Sequence, residues 1–401
     1  MRSAKHLTVA ALILLLSSWL AACHPTNGLP PPAGEFLFIG NQDGNISEFS
    51  IDTTTGLLTN IGEFSISTNS GQPDAEGSIG LVVHPTNKFI YVASYGVNGM
   101  LGFDIGDGSR PGTIFGLNSN VPSSLQAGYS WNDAVTPNGA YLYATNVDSG
   151  VISEYLINLK TGTPTALNYQ SGALTFLGEV PAGALPEGIA VESTGRFAYA
   201  VNVSDRTVSE YIVQANGTLV SNGSLLLSSN AGLSDPSQIA TALVEKSSCA
   251  YVVDEGLGTL DELAIDGSTG ALSYLGSLPA NNDAFGIAVH PSQKFIYVTA
   301  ASANSIINDP TITVYTAGAD PKLSPCVVAQ TSYIKAPVGS GAFSIAVEPT
   351  GKFAYVANIG NGTIGEYSID PTTGALTSLG DVTSETPANP SSDPFAAVTT
   401  H

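Results

Sequence analysis

Basic residues are scarce in this chain of 401: 12 Lys and Arg stand against 33 Asp and Glu, a net charge of -21 with His neutral. A surface of that sign repels nucleic acid and an anionic membrane face, so neither is an expected partner. The five histidines are scattered. His6 lies in the N-terminal leader, His24 just after it and His401 at the end, while His84 and His290 occupy equivalent turns. No His-based triad or zinc site can be assembled from that set, and no metal or cofactor is expected. Helix-period patterning is almost absent after residue 30, which excludes a helical or mixed domain of ordinary kind. Long apolar runs are missing too: Leu7 to Trp19 is too short and wrongly flanked for a membrane span. What is abundant is turn chemistry, with 43 Gly and 24 Pro and only 11% charged residues. A chain of this length and composition buries a large core between tight turns.

Lys352 to Leu379 shows how. Phe353-Ala354-Tyr355-Val356 is a compact apolar run, Asn361-Gly362 a turn pair, and Ile364 to Ile369 an alternating strand. Thr373-Gly374 then turns into Ala375-Leu376, while upstream Ser344 to Val347 supplies a further strand that exits through Glu348-Pro349-Thr350-Gly351. Four short antiparallel strands with tight turns make one propeller blade. The aromatic of the second strand recurs at Phe38, Tyr91, Tyr143, Tyr199, Tyr251, Tyr297 and Tyr355, at spacings of 46 to 58 residues. Seven such copies read as an all-β, seven-bladed propeller.

The two ends decide between a closed ring and an open stack. The first copy starts at Glu35-Phe36-Leu37-Phe38 with no inner strand before it, and residues 394–399 supply one after the last copy. A C-terminal strand completing the first blade closes the ring and removes sheet edges. The expected organisation is a leader over 1–22, a tether over 23–34 containing Pro30-Pro31-Pro32, and the propeller over 35–401.

Arg2 and Lys5 followed by an apolar core and Leu20-Ala21-Ala22-Cys23 resemble a bacterial lipoprotein signal. Cys23 is then lipidated and the protein is membrane-anchored in the cell envelope, in the outer membrane of a diderm host since residue 24 is not Asp. An ordinary secretory leader with a chance cysteine is the alternative reading. Cys249 and Cys326 remain. They either pair in an oxidising compartment or, as Cys249 occupies the slot of Phe197, Phe295 and Phe353, stay as buried thiols.

Long, variable loops collect on one face of the ring and short repeated turns on the other, so a site belongs to the long-loop face. His84 and His290 fall in short turns and read as structural. Glu48, Glu154, Glu210, Glu262 and Glu366 recur in the third strand and read as exposed or capped blade features. Asp43-Gly44-Asn45 and Asp254-Glu255-Gly256 read as turns rather than calcium loops. Around the axial mouth, the starts of inner strands give Glu76, Trp131, Asn132, Glu187, Gln238, Asp283 and Phe343, and the ends of second strands give Asn146, Asn202, Asp254 and Asn358.

Phe295-Ile296-Tyr297-Val298-Thr299, Phe353-Ala354-Tyr355-Val356-Ala357-Asn358 and Glu366-Tyr367-Ser368-Ile369-Asp370-Pro371-Thr372-Thr373-Gly374 resemble the Tyr-Val-Thr-Asn-type repeats of the seven-bladed propeller lactonase family. That family includes 6-phosphogluconolactonases and muconate-lactonising enzymes. The resemblance implies a His near the start of an inner strand with Arg and Glu nearby, and Tyr129 to Val135 contains no His. After the leader only Arg206 and Lys335 map to the long-loop face, too few for a phosphate clamp. The expectation is therefore a lipid-anchored module whose long-loop face binds a protein, glycan or small molecule. The alternative is hydrolysis of a neutral lactone, with Glu76, Glu187, Asp254 or Asp283 as general base and Arg206 at the oxyanion.

Overall fold

The computed structural model describes residues 34–66, 78–94, 99–106, 111–121, 129–159, 171–227, 234–301, 311–318, 322, 324–337, 340–384 and 393–400. Cys23, the leader, most of the tether and Glu76 lie outside these residues. Every element within them is a strand, and the strands form seven four-stranded antiparallel sheets. Blade 1 joins 35–65 to the C-terminal strand Pro394–Thr399. Blades 2 to 7 span 78–121, 130–181, 186–226, 236–279, 284–335 and 342–383. The ring closes as expected. Leu37 lies opposite Thr399 and Gly40 opposite Ala396, and the Phe36 N–H donates to Thr400 Oγ1 at 3.0 Å. Among the described residues no helix is long and apolar enough to cross a membrane.

Burial is greatest on the second strand of a blade and least on the outer one, which explains the strand sequences. All six residues of Phe353–Asn358 are buried, because a second strand is covered by a neighbouring blade on both faces. The outer strand Leu376–Thr383 is exposed over Thr377–Leu379 and then alternates between half-buried and exposed positions, as a rim strand with one wet face does.

Three recurring contacts tie each blade to the next. The second-strand tyrosines donate to a glycine carbonyl in the following blade: Tyr91 to Gly172, Tyr143 to Gly217, Tyr199 to Gly270, Tyr297 to Gly374 and Tyr355 to Gly56, all at 2.8–3.0 Å. Only glycine serves there. Gly374 has φ +73°, and a Cβ on it would sit 2.5 Å from the Phe295 ring.

The recurring third-strand glutamates form the second contact, and of the two readings, exposed or capped, the structure overturns exposure. Glu48, Glu154, Glu210, Glu262 and Glu366 are buried, and each accepts the backbone N–H that begins the next blade's outer strand, from Ile114, Leu219, Leu272, Val328 and Leu58. The strand partner of each is a glycine at a β-bulge, Gly62, Gly178, Gly223, Gly276 or Gly380, which leaves room for the carboxylate.

Blades 2 and 6 have Gly102 and Val314 in that glutamate slot, and these are the blades whose first turn carries a histidine. His84 and His290 take N–H bonds at Nδ1 from Thr86 and Ser292. Nε2 therefore carries the proton and donates to the carbonyls of Gly139 and Gly351 in the next blade, at 2.8 Å. Their structural role follows from that third kind of link.

At the junction of blades 5 and 6 the Tyr251 hydroxyl finds no partner among the described residues, and the Cys249–Cys326 disulfide takes its place across the same junction. The pairing that the sequence leaves open is thus made, with Cα atoms 5.3 Å apart across 77 residues.

These buried carboxyls set the pH response of stability. Burial pushes Glu48 and Asp261 up to about 7 and Glu187 up to about 8, all above their unfolded values. The native state therefore holds protons that the unfolded chain has released, so stability is full below about pH 4.5 and is lost as pH rises through 7 to 8. The turn carboxylates Asp52, Asp266 and Asp370 have the opposite sign, lowered by turn hydrogen bonds, and weaken the fold only in stronger acid. We expect a melting temperature at pH 5 higher by about 5 °C than at pH 8.5. A flat or rising profile in scanning calorimetry would contradict this.

Candidate active site

Each inner strand is bulged near its start, as the register shifts at Ser130/Asp133, Pro186/Ile189, Pro236/Gln238, Ala284/Ile287 and Ala342/Ser344 show. Bulges re-aim side chains, and here they affect the second and third residues of each strand, at the long-loop end of the axis. In second place stand Trp131, Glu187, Ser237, Phe285, Phe343 and Phe395 of blades 3, 4, 5, 6, 7 and 1. In third place small residues allow neighbouring inner strands to approach. A Cβ on Gly188 would come within 2.7 Å of the Ser237 carbonyl oxygen. Asn132 and Gln238 are the large exceptions. They reach past blade 4 to each other, with Asn132 Nδ2 donating to Gln238 Oε1 at 2.7 Å.

Glu187 stands between these two blades. Its backbone carbonyl accepts the Thr145 hydroxyl at 2.7 Å, which fixes the strand at that point. Its carboxyl is pushed up to about 8, first by burial and then by the charges of Asp235 and Glu255. A half-buried carboxyl poised near neutrality beside an amide pair is the arrangement of a general base.

The other carboxyls chosen from the sequence play different parts. Asp254 is fully buried: Oδ1 accepts the N–H groups of Asp235 and Leu257, and Oδ2 accepts the Ser234 hydroxyl at 2.6 Å. Both of its oxygens are engaged in organising a turn. Asp283 sits in the left-handed region with φ +54° in the loop before blade 6, and its charge acts on Glu255. Arg206, with φ +56°, lies on the hairpin turn between the second and third strands of blade 4, outside the inner-strand ring.

Asn146, Asn202 and Asn358 are buried, and their amides donate to Ser153, Ser209 and Thr363 on their own third strands. They hold the hairpins. The cations Arg196 and Lys294 lie over Phe197 and Phe295 beside the short turns. Among the described residues no group of three or more His, Cys, Asp or Glu has metal-binding geometry.

The sequence reading passed over Asp133. It is only 6% exposed, neither carboxyl oxygen has a hydrogen-bond partner, and burial holds it well above the usual carboxylate range. Aligning the inner strands would have flagged it: Ile189, Ile239, Ile287 and Ile345 occupy the same slot. An unpaired buried polar group is destabilising. We expect Asp133→Ile to raise the melting temperature by about 2–4 °C. A lowered value would mean that the carboxyl has a native partner. The same alignment places Ser237 and Phe285 beside Glu187 and Phe343.

Known proteins complete the description. A family model, lactonase with a seven-bladed β-propeller, matches residues 167–392. No curated protein sequence matches. Among solved structures, a provisionally assigned 6-phosphogluconolactonase from Bacteroides fragilis superimposes with a TM-score of 0.70 at 15% identity, covering 92% of this chain and 98% of its own. One from Bacteroides uniformis, likewise provisional, gives 0.70 at 16%, covering 91% and 99%. A Lactobacillus plantarum protein gives 0.68 at 17%, covering 92% and 99%. At these identities the superpositions describe a shared fold.

Proposed function

This chain belongs to the seven-bladed β-propeller lactonase family, and from that premise we propose that it is a hydrolase of a neutral lactone with Glu187 as general base. The observation that carries the proposal is the Glu187 carboxyl itself: an inner-strand residue at the axial mouth, raised to about 8 by burial and by Asp235 and Glu255. Family membership favours this reading over the non-catalytic binding module that the composition alone suggests.

In the proposed reaction the ionised Glu187 takes a proton from water, whose oxygen adds to the lactone carbonyl. Gln238, held by Asn132, turns its amide N–H toward the resulting oxyanion. Collapse breaks the ring C–O bond, and Glu187 returns its proton to the leaving alkoxide, giving the hydroxy acid. A phosphorylated lactone fits poorly. The charges around Glu187 are Asp235, Glu255 and, through Glu255, Asp283 and Asp254. The cations stacked on Phe197 and Phe295 stand beside the turns of the other face. Anchoring through Cys23 places the activity in the cell envelope, where a neutral or exogenous lactone is the accessible substrate. This part of the proposal rests on the leader motif.

The test is a pH-stat screen of neutral and phosphorylated lactones with the whole chain. Turnover of neutral lactones is expected. Absence of turnover above the uncatalysed rate on every substrate would overturn the hydrolase reading.

A further inference from the structure

The slot that holds Glu187 in blade 4 and Ser237 in blade 5 holds phenylalanine in three consecutive blades, 6, 7 and 1. Phe285 and Phe343 stack with centroids 3.8 Å apart, and Phe343 meets Phe395 at 4.3 Å. Phe343 and Phe395 keep part of their surface open. The residues that follow them are Gly286, Ser344 and Ala396, and the Ser344 hydroxyl already accepts the Ala397 N–H. This arc therefore offers apolar surface and almost no hydrogen-bonding capacity. The large polar side chains of the same ring, Asn132, Glu187 and Gln238, come from blades 3 to 5. The mouth is divided into a polar and an aromatic half.

We propose that the arc of Phe285, Phe343 and Phe395 is a subsite for an apolar substituent, so that the substrate class is a lactone bearing an alkyl or aryl arm. The proposal rests on the hydrolase reading: the lactone ring lies against Glu187 and the Asn132–Gln238 pair, and the arm lies along the aromatic half. A polyhydroxylated sugar lactone would set hydroxyls against phenylalanine with nothing to bond. An anionic arm would meet the acidic groups beside Glu187. An alkyl arm removes its own surface and that of Phe343 and Phe395 from water.

Calorimetric titration of the full-length Glu187→Gln protein, which binds without consuming ligand, compares γ-butyrolactone with γ-decalactone, the same ring carrying a hexyl arm. The expected result is binding of the hexyl compound tighter by about tenfold or more. Phe343→Ala is expected to remove most of that gain and leave γ-butyrolactone unchanged. Phe395→Ala, on a different blade, reports independently should the first variant fail to fold, and the two-lactone comparison itself needs no phenylalanine variant. Equal affinities, or variants that weaken both lactones alike, would overturn the subsite.

Parallel pH-stat assays of the unsubstituted protein separate the two proposals. A hexyl preference in binding, with hydrolysis of neither compound nor of any lactone in the wider screen, refutes the hydrolase and keeps the apolar subsite. Hydrolysis of both at equal kcat/KM refutes the subsite and keeps the hydrolase.

Discussion

Replacing Glu187 with Gln is expected to lower kcat/KM for a neutral lactone by about 10²–10⁴-fold, the range over which general-base catalysis contributes. The amide keeps the volume and the half-buried position of the side chain but removes the basic lone pair, so the fold should be intact, with melting little changed near pH 4.5 and raised at pH 8.5, where the buried carboxyl has to ionise. Wild-type activity should rise with pH and reach half its plateau near pH 8, because the carboxylate is the working form and burial among acidic neighbours holds its pKa there. At pH 7 only about one tenth of the molecules carry the ionised base. Asp235→Asn removes one of the charges that raise Glu187 and should move the midpoint downward. A Gln variant with wild-type turnover, or a pH profile that falls above 7, would assign the base to another residue.

Removing the C-terminal segment 393–401 is expected to abolish the soluble fold. The last strand supplies the innermost layer of blade 1, paired along Leu37–Gly40. It is anchored further by Thr400, whose N–H donates to the Phe36 carbonyl at 2.9 Å, and by Thr399, whose hydroxyl donates to the Val347 carbonyl. It also bridges blade 7, where Phe395 meets Phe343. Without it, residues 35–41 become an exposed apolar edge and the ring loses its closing ladder. Size-exclusion chromatography and circular dichroism should show aggregated or unfolded chain. A monomeric truncated protein with the native spectrum would mean that the remaining blades hold an open ring.

The sequence by itself determined the repeat, its strand and turn types, the number of blades and the strand that closes them. Those depend on patterns within a few residues, such as Phe353 to Val356 and Asn361-Gly362, and on counting copies of them. Counting positions across blades also marked inner-strand residues such as Trp131, Glu187 and Phe343 as candidates, and passed over Ser237 and Phe285 in the same slot. Tertiary structure decided what each of those residues does. Glu48 reads locally like any strand glutamate, yet its partner Ile114 lies 66 residues away on another blade, and the contact is what buries it. Asp254 and Glu187 looked alike as axial carboxyls, and only the folded loop shows one with its oxygens occupied and the other held near neutrality. The same holds for Cys249 with Cys326 and for the phenylalanine arc, whose members are 52 to 58 residues apart in the chain. Strand and turn preference is a short-range property of the backbone. Burial, charge coupling and stacking depend on which distant segment the ring brings alongside, and no local pattern encodes that.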